Sequence, residues 1–204
     1  MDGYPALPWS QACENNKTWI LSVLERHFVR RGAAGQVLEI GGGTGQHAEF
    51  MAANMPWLIW QSSDIAENVD NLQLRLTAAA LPNLPDAITL DAFDRQWSVP
   101  AADYIFSANT LHIMSMSAVR QLFSLLPTVL KPDGKLAIYG PFRYRGAFTT
   151  DSNAHFDQWL KQRDPESGIR DAEWVDELAQ NAGLSLIEDN DMPANNQLRV
   201  WQKR

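Results

Sequence analysis

The chain has one cysteine, Cys13, in 204 residues. A single thiol excludes an intramolecular disulfide framework and a Cys-cluster zinc site, and it fits a reducing compartment. No stretch reaches the roughly 18 apolar residues of a membrane-spanning helix. The opening MDGYPALPWSQ lacks the basic-then-apolar pattern of a signal peptide. A cytoplasmic protein with no membrane partner is therefore expected. There is also no cationic stripe. Basic residues come in small groups (Arg30 with Arg31, Arg143 with Arg145, Lys203 with Arg204) on a chain of net charge −7. Non-specific nucleic-acid binding rests on a positive footprint, so no nucleic-acid partner is expected. The eight tryptophans are too scattered to form a base-stacking stripe. The histidines at 27, 47, 112 and 155 show no ligand spacing, so no metal is expected. Repeats, low-complexity tracts and long linkers are missing as well.

What is present is core-forming material. The hydrophobic fraction is 45%, and a chain of this length buries about 70% of its unfolded surface. Apolar periodicity predicts a helix over 12–31 with a stripe at Ile20, Leu21, Leu24 and Phe28, stopped by Arg30, Arg31 and Gly32. Alternation follows. Strands are predicted at 36–40, 58–62, 87–90, 104–108 and 135–140. Helices are predicted at 45–54, from Ile65 to Leu76, at 117–130 with an irregularity at Pro127, and at 171–182. Strands at 184–189 and 197–202 close the chain around MPANN. No helix separates this last pair, so it is an antiparallel hairpin. The fold class expected is α/β, a doubly wound Rossmann-like seven-stranded sheet, mostly parallel with one antiparallel strand. One domain is expected. It comprises a helical lid segment at 1–34, a cofactor-binding core at 35–142, an insertion at 143–170, and a helix with hairpin at 171–204. Ligands of such sheets sit outside the carboxyl ends of the strands.

The first of those ends reads VLEIGGGTGQHAEF. Its spacing is Gly41-x-Gly43-x-Gly45. A dinucleotide fingerprint, G-x-G-x-x-G/A, has Gly or Ala where Gln46 stands, and a P-loop has Lys followed by Ser or Thr. The loop itself offers no cation to a phosphate. Glu39, inside the strand, repels a pyrophosphate and suits a cofactor that carries an ammonium and a sulfonium. S-adenosylmethionine is such a cofactor.

VLEIGGGTG resembles the first motif of class I S-adenosylmethionine-dependent methyltransferases. LLPTVLKPDGKLAIYG resembles their helix, turn and strand five. ACENNK, TGQHAEF, WQSSD, YGPF, SNAHFD, GIRD and MPANN resemble the uncharacterised methyltransferase-like protein 26-type family along nearly the whole chain. Met114-Ser115-Met116 stands where that family's pattern has a Pro-Trp pair. The resemblance implies a cofactor site. Gly41, Gly43 and Gly45 would lie against the methionine half, with Glu39 on the ammonium and Gln46 beside the carboxylate. Asp64 or Ser63 would take the ribose hydroxyls. Asp91, with Ala92 and Phe93, would hold the adenine, and Asn109 would sit near the methyl. Asp64 with Glu67 also has capping-box spacing, and Asp91 also reads as an ordinary loop acid. His47 reads as a surface residue, and Cys13 as a small buried hydrophobe.

His112 and Tyr139 are the candidate catalytic groups, His112 because its ordinary pKa lies near neutrality. Substrate contacts are expected from Asn16, His112, Tyr139, Arg143, Tyr144, Asn153 and Asn195. Arg143 reads equally as part of a solvated basic loop. The insertion at 149–170, with a Ser152/Asn153 cap and Phe156, Trp159 and Leu160 on one helical face, is expected to form a lid with ACENNK. The expected activity is methyl transfer to a small molecule by an enzyme. The alternatives are a non-catalytic S-adenosylmethionine-binding or scaffold protein and, less favoured, a Rossmann NAD(P) oxidoreductase. Monomer and homodimer are both open.

Overall fold

Residues 7–29 and 34–204 are described by a computed structural model. Strands alternate with helices from residue 35 to residue 79, as the hydrophobic pattern requires, and later in the chain some strands follow one another without an intervening α-helix. The chain forms two compact units, one ending at Asp91 and the other running Ala92–Arg204.

In the first unit, α1 (Gln11–His27) precedes β1 (Gly35–Ile40), α2 (Gln46–Asn54), β2 (Leu58–Asp64), α3 (Ala66–Ala79) and β3 (Ile88–Thr89). Ile20, Val23 and Leu24 form the buried stripe of α1, and Leu72 and Leu76 that of α3. They cover a core that includes Trp60 and Met51. α1 ends at His27 with Arg26 and His27 in its last turn, where cations favour the negative helix end. The stop predicted at Arg30, Arg31 and Gly32 lies outside the described residues. β1 and β2 are parallel, pairing Glu39 with Ser62 and Ile40 with Ser63. β2 and β3 are parallel and pair Asp64 with Thr89. The carboxyl ends of β1 and β2 therefore converge on the loop that follows Ile40.

The second unit contains β4 (Ala102–Ala108), α4 (Met116–Val129), β5 (Leu130–Gly140), β6 (Phe142–Tyr144), β7 (Ala147–Phe148), α5 (Asp151–Arg163), β8 (Arg170–Asp171), α6 (Ala172–Asn181), β9 (Leu184–Met192) and β10 (Asn196–Lys203). β5 is parallel to β4 and antiparallel to β10, which is antiparallel to β9. β10 is thus the single reversed strand, as the missing crossover predicted. The seven-stranded sheet has the order β3-β2-β1-β4-β5-β10-β9.

Four local features refine or depart from the expectations. The predicted turn KPDG interrupts β5 without ending it. The pairing register with β4 shifts between Ala102 and Tyr104, and Asp133 takes a left-handed φ of 60°. Pro127 is accommodated because α4 ends two residues later, and Lys203 Nζ donates to the carbonyls of Pro127 (2.7 Å) and Leu130 (2.6 Å). A second sheet, β7-β6-β8, had no sequence signature, since strands of two or three residues carry no periodicity. The insertion at 149–170 is mainly α5. Its cap is Thr150, which accepts from Asn153 N, and not the predicted Ser152 or Asn153. Among the described residues, no helix is long and apolar enough to cross a membrane.

Candidate functional site

Each unit carries part of the predicted constellation. In the first, the loop after β1 is shaped by left-handed glycines. Gly41, Gly43 and Gly45 have φ of 75°, 56° and 74°. Gly45 is the N-cap of α2, and in this conformation an L side chain is strained. Gly42 is needed for a different reason, because a Cβ there would lie 2.3 Å from Ser62 Oγ. Ser63 O anchors the loop by accepting from Gly41 N (3.0 Å) and Gly42 N (2.9 Å).

Two acids hold this loop. Glu39 is fully buried, and its Oε2 accepts from Trp60 Nε1 (2.9 Å) and Ser62 Oγ (2.7 Å). Burial pushes its pKa up to about 7; the two hydrogen bonds oppose that rise and the charge of Asp64 adds to it. Ser63 Oγ donates to Glu39 O at 2.6 Å. Asp64 Oδ2 accepts from Gly43 N at 2.7 Å, while Oδ1 accepts from Ile65 N (2.8 Å) and Asn68 Nδ2 (3.0 Å). The capping-box alternative for Asp64 fails, because the N-cap of α3 is Ile65, with no side-chain cap.

The start of α2 is covered by the chain around α1. Gln46 is 3% exposed. Its Oε1 accepts from Ser10 N and Thr44 Oγ1, and its Nε2 donates to Ser10 O and Glu14 Oε1. His47 is buried and not at the surface, a correction to the sequence reading. Its Nε2 donates to Asn16 Oδ1 at 2.7 Å. Asn16, expected on a substrate, is thus occupied by His47. Burial lowers the pKa of His47 to about 4. Cys13 is half-buried, with Sγ 4.0 Å from Thr44 Oγ1, and burial raises its pKa. At the end of β3, Leu90 N donates to Asp64 O, which places Asp91 next to the Asp64 strand end.

In the second unit, Ala92 is half-buried and Phe93 is 62% exposed. Asn109 follows β4 in a left-handed conformation (φ 57°), with its N–H on Tyr139 O at 2.8 Å. Tyr139 is buried. His112 is 7% exposed and sits edge-on to Phe156, with centroids 5.4 Å apart. Its Nδ1 would lie 3.6 Å from a Cβ on Gly140, so the absent side chain leaves room beside the imidazole. Burial, then the nearby Arg170 cation, lowers the pKa of His112 to about 4, leaving the ring neutral at pH 7. Arg170 fixes this loop by donating to the carbonyls of Leu111, Met114 and Glu166. Gly168 N donates to His112 O at 2.8 Å.

The remaining candidates are paired among themselves or with acids. Arg143 bridges to Asp171 at 2.6 Å, so it is not a free solvated cation. Tyr144 Oη donates to Asp189 at 2.8 Å, and burial with that bond raises its pKa. Asn153 Nδ2 donates to Asn195 O and Thr149 Oγ1, both at 2.9 Å, so the structure joins Asn153 to Asn195.

Sequence reading missed Trp60, Ser62, Arg75 and Arg170. The register of β1 on β2 places Ser62 beside Glu39. Arg75 stands inside the Leu72/Leu76 stripe of α3, an unusual place for a cation. Those are signals; for Arg170 the sequence offers only the GIRD motif, which assigns it no role. A cleft of about 560 Å³, lined by Asp176, Gln180, Leu184 and Arg204 among others, lies at the amino end of β9. Ligands in such sheets bind at the carboxyl ends, so this cleft is not the candidate site.

The fold is that of known methyltransferases. One is an O-methyltransferase family protein from Burkholderia thailandensis, at 19% identity and TM-score 0.79, covering 92% of this chain and 56% of that one. Another is human N-acetylserotonin methyltransferase in complex with SAM, at 17% identity and TM-score 0.77, covering 95% and 53%. A third is an O-methyltransferase family 2 protein from Planctomyces limnophilus in complex with apigenin, at 16% identity and TM-score 0.79, covering 95% and 58%. The chain thus spans a little over half the length of these structures. By sequence, residues 7–203 match a family model, and the chain belongs to that family, described as a protein of unknown function (DUF938).

Proposed function

We propose that this chain is an S-adenosylmethionine-dependent methyltransferase acting on a small-molecule acceptor. One observation carries the reading: the loop after β1 is held by acid and offers no spare cation. Its Gly43 amide rests on Asp64. Arg75, the cation that touches the loop, has its Nε on Thr44 O, Nη1 on Glu49 and Nη2 on Pro8 O. Among the described residues, a phosphate-bearing cofactor would find no cation at this loop beyond the already engaged Arg75. A cofactor bearing an ammonium and a sulfonium finds a favourable field.

The residues fit that group. The main chain of 41–45 would lie along its methionine half, and Asp64 would meet the ribose; Ser63, fully buried with its Oγ on Glu39 O, supports the loop instead. Asp91 would meet the adenine amino group, and Phe93 its ring. The bound cofactor supplies an electrophilic methyl on sulfur. The protein then supplies proximity and orientation, which are worth several kcal/mol of barrier. His112 is held neutral in a tight loop and accepts the proton of an acceptor hydroxyl or amine. Tyr139 positions Asn109 through its carbonyl. Fold neighbours with small-molecule names or ligands, N-acetylserotonin and apigenin, support a small acceptor. The resemblance to the methyltransferase-like protein 26-type family supports the same chemistry, and the lone cysteine supports a cytoplasmic setting.

The test is transfer of a labelled methyl group from S-adenosylmethionine into a metabolite extract, with products identified by mass. Calorimetry against S-adenosylmethionine and NADH runs beside it. Tight NADH binding, or no heat with S-adenosylmethionine, overturns the cofactor assignment. Binding with no methylated product overturns catalysis.

A further inference from the structure

The segment at 8–17 is fastened to the glycine loop by side chains that form a latch. Gln46 grips both main-chain groups of Ser10: Ser10 N donates to Oε1 at 2.5 Å, and Nε2 donates to Ser10 O at 3.3 Å. The same Nε2 donates to Glu14 at 2.6 Å. Arg75 reaches the segment from α3, with Nη2 on Pro8 O at 2.5 Å and Nε on Thr44 O at 2.8 Å. One guanidinium therefore ties the loop and the segment together. Ser10, the N-cap of α1, makes no side-chain cap of its own. The start of α1 is held by Gln46 instead.

The attachment is polar more than apolar. Trp9 is 58% exposed and Leu7 39% exposed, so these two side chains do not bury the segment against the unit. Residues 7–10 have no regular structure. Hydrogen bonds of this kind contribute about 1 kcal/mol each, net of water. Segments held mainly by such bonds open locally at a fraction of the global unfolding free energy. Beneath the segment, Gln46 and His47 are buried, while Gly43 in the same loop is exposed.

We propose that residues 8–17 are a strap that opens and closes over the cofactor loop, and that Gln46 and Arg75 are positioning residues that latch it. This rests on the cofactor reading above. In it, Gln46 acts on the cofactor through Ser10 and not by direct contact, because both ends of its amide are already engaged. Closing the strap slows cofactor entry and exit together, since the latch lies between loop and segment and forms whether or not the loop is filled.

The experiment uses the full chain, Gln46→Met and Arg75→Lys. Stopped-flow tryptophan fluorescence gives association and dissociation rates for S-adenosylmethionine and S-adenosylhomocysteine. Hydrogen exchange reports on residues 8–17. Both rates are expected to rise about fivefold or more in each variant, the weight of one net hydrogen bond, with Kd changed less than either rate. Faster exchange of the strap is expected in both variants. Rates that stay at wild-type values while strap exchange quickens overturn the gate. A rise in dissociation alone overturns it too, since that marks a lost ligand contact. Unchanged strap exchange overturns the latch without reference to any cofactor. A wild type that binds no S-adenosylmethionine overturns the cofactor reading and the gate with it, and leaves the latch to the exchange data. Should a variant fail to fold, the wild type still decides. In native-state exchange, residues 8–17 must open locally, ahead of the buried core of α2 and β1, and exchange of the segment only with global unfolding overturns the strap.

Discussion

Asp64 Oδ2 accepts the backbone N–H of Gly43 at 2.7 Å, joining the end of β2 to the loop after β1 across 21 residues. Its other oxygen accepts from Ile65 N and Asn68 Nδ2. Three donors thus fix the carboxylate, and under the proposed cofactor reading its remaining lone pairs would meet the ribose hydroxyls. In Asp64→Asn an amide N–H faces the Gly43 N–H, or the amide turns and faces Ile65 N–H. Either way a donor opposes a donor. Hydrogen bonds to charged groups contribute about 1.5–3 kcal/mol, so S-adenosylmethionine affinity should fall about 10- to 100-fold. Calorimetry measures this, with a thermal melt to show that the fold persists. Unchanged affinity would remove Asp64 from the site.

Gly42→Ala tests the support beneath the loop. The new methyl meets Ser62 Oγ at 2.3 Å and the Leu72 side chain at 3.1 Å. Ser62 must swing away, which takes its hydroxyl from Glu39 and leaves that buried carboxylate to Trp60. Overpacking of this kind costs about 1–3 kcal/mol. Urea unfolding should show a lowered midpoint with an unchanged slope. Ser62→Ala removes the clashing oxygen, so Gly42→Ala should cost less in that background. The double-mutant cycle should give a coupling beyond the additive error of about 0.5 kcal/mol. Additive losses would mean that the loop, and not Ser62, absorbs the methyl.

The alternating pattern of strands and helices was legible because each long element carries its own period. β10 is the reversed strand because no crossover separates it from β9. What stayed illegible was either too short or too distant. β6, β7 and β8 are two or three residues each, less than one period of alternation. The glycine loop was readable, but its furniture was not. Gln46 stands where the loop leaves a place for a ligand contact, and the sequence holds no sign that Ser10, 36 residues earlier, would take its amide. His47 looks like a polar helix residue until Asn16 is placed against it. Arg170 gathers carbonyls up to 59 residues away, and main-chain acceptors have no sequence identity to detect.

Two opposed titrations shape stability near neutrality. Glu39 has a folded pKa of about 7 against an ordinary 4.5, so between those values the native state holds a proton that the unfolded state has released. Its contribution is present below pH 4.5 and lost as pH rises through 7. His47 and His112 run the other way. Their folded values near 4 lie below the ordinary 6.5, so their contribution is present above 6.5 and lost as pH falls through 4. Glu39→Gln removes only the first. Relative to wild type, it should therefore gain stability from pH 4.5 to about pH 7 and level off above it, read by urea unfolding from pH 4.5 to pH 8. A stability difference that is flat with pH would place the ionisation of Glu39 outside this window.

Arg170 should govern both the shape and the charge of the loop that carries His112. Arg170→Met keeps an apolar stem but strips donors from Leu111 O, Met114 O and Glu166 O. Buried acceptors left unmatched cost about 1–3 kcal/mol, so the variant should melt earlier. It also removes the second cause of the low pKa of His112, after burial. The imidazole should therefore titrate higher than in the wild type, moving from about 4 toward its ordinary value, as NMR of the ring nitrogens would follow. If His112 takes the acceptor proton, the acid limb of the turnover profile should move upward with it, because protonation removes the base at a higher pH. The separation of two readouts gives the test its force. A ring that titrates higher with an unmoved acid limb leaves His112 a structural residue, whereas both moving together places it at the reacting group.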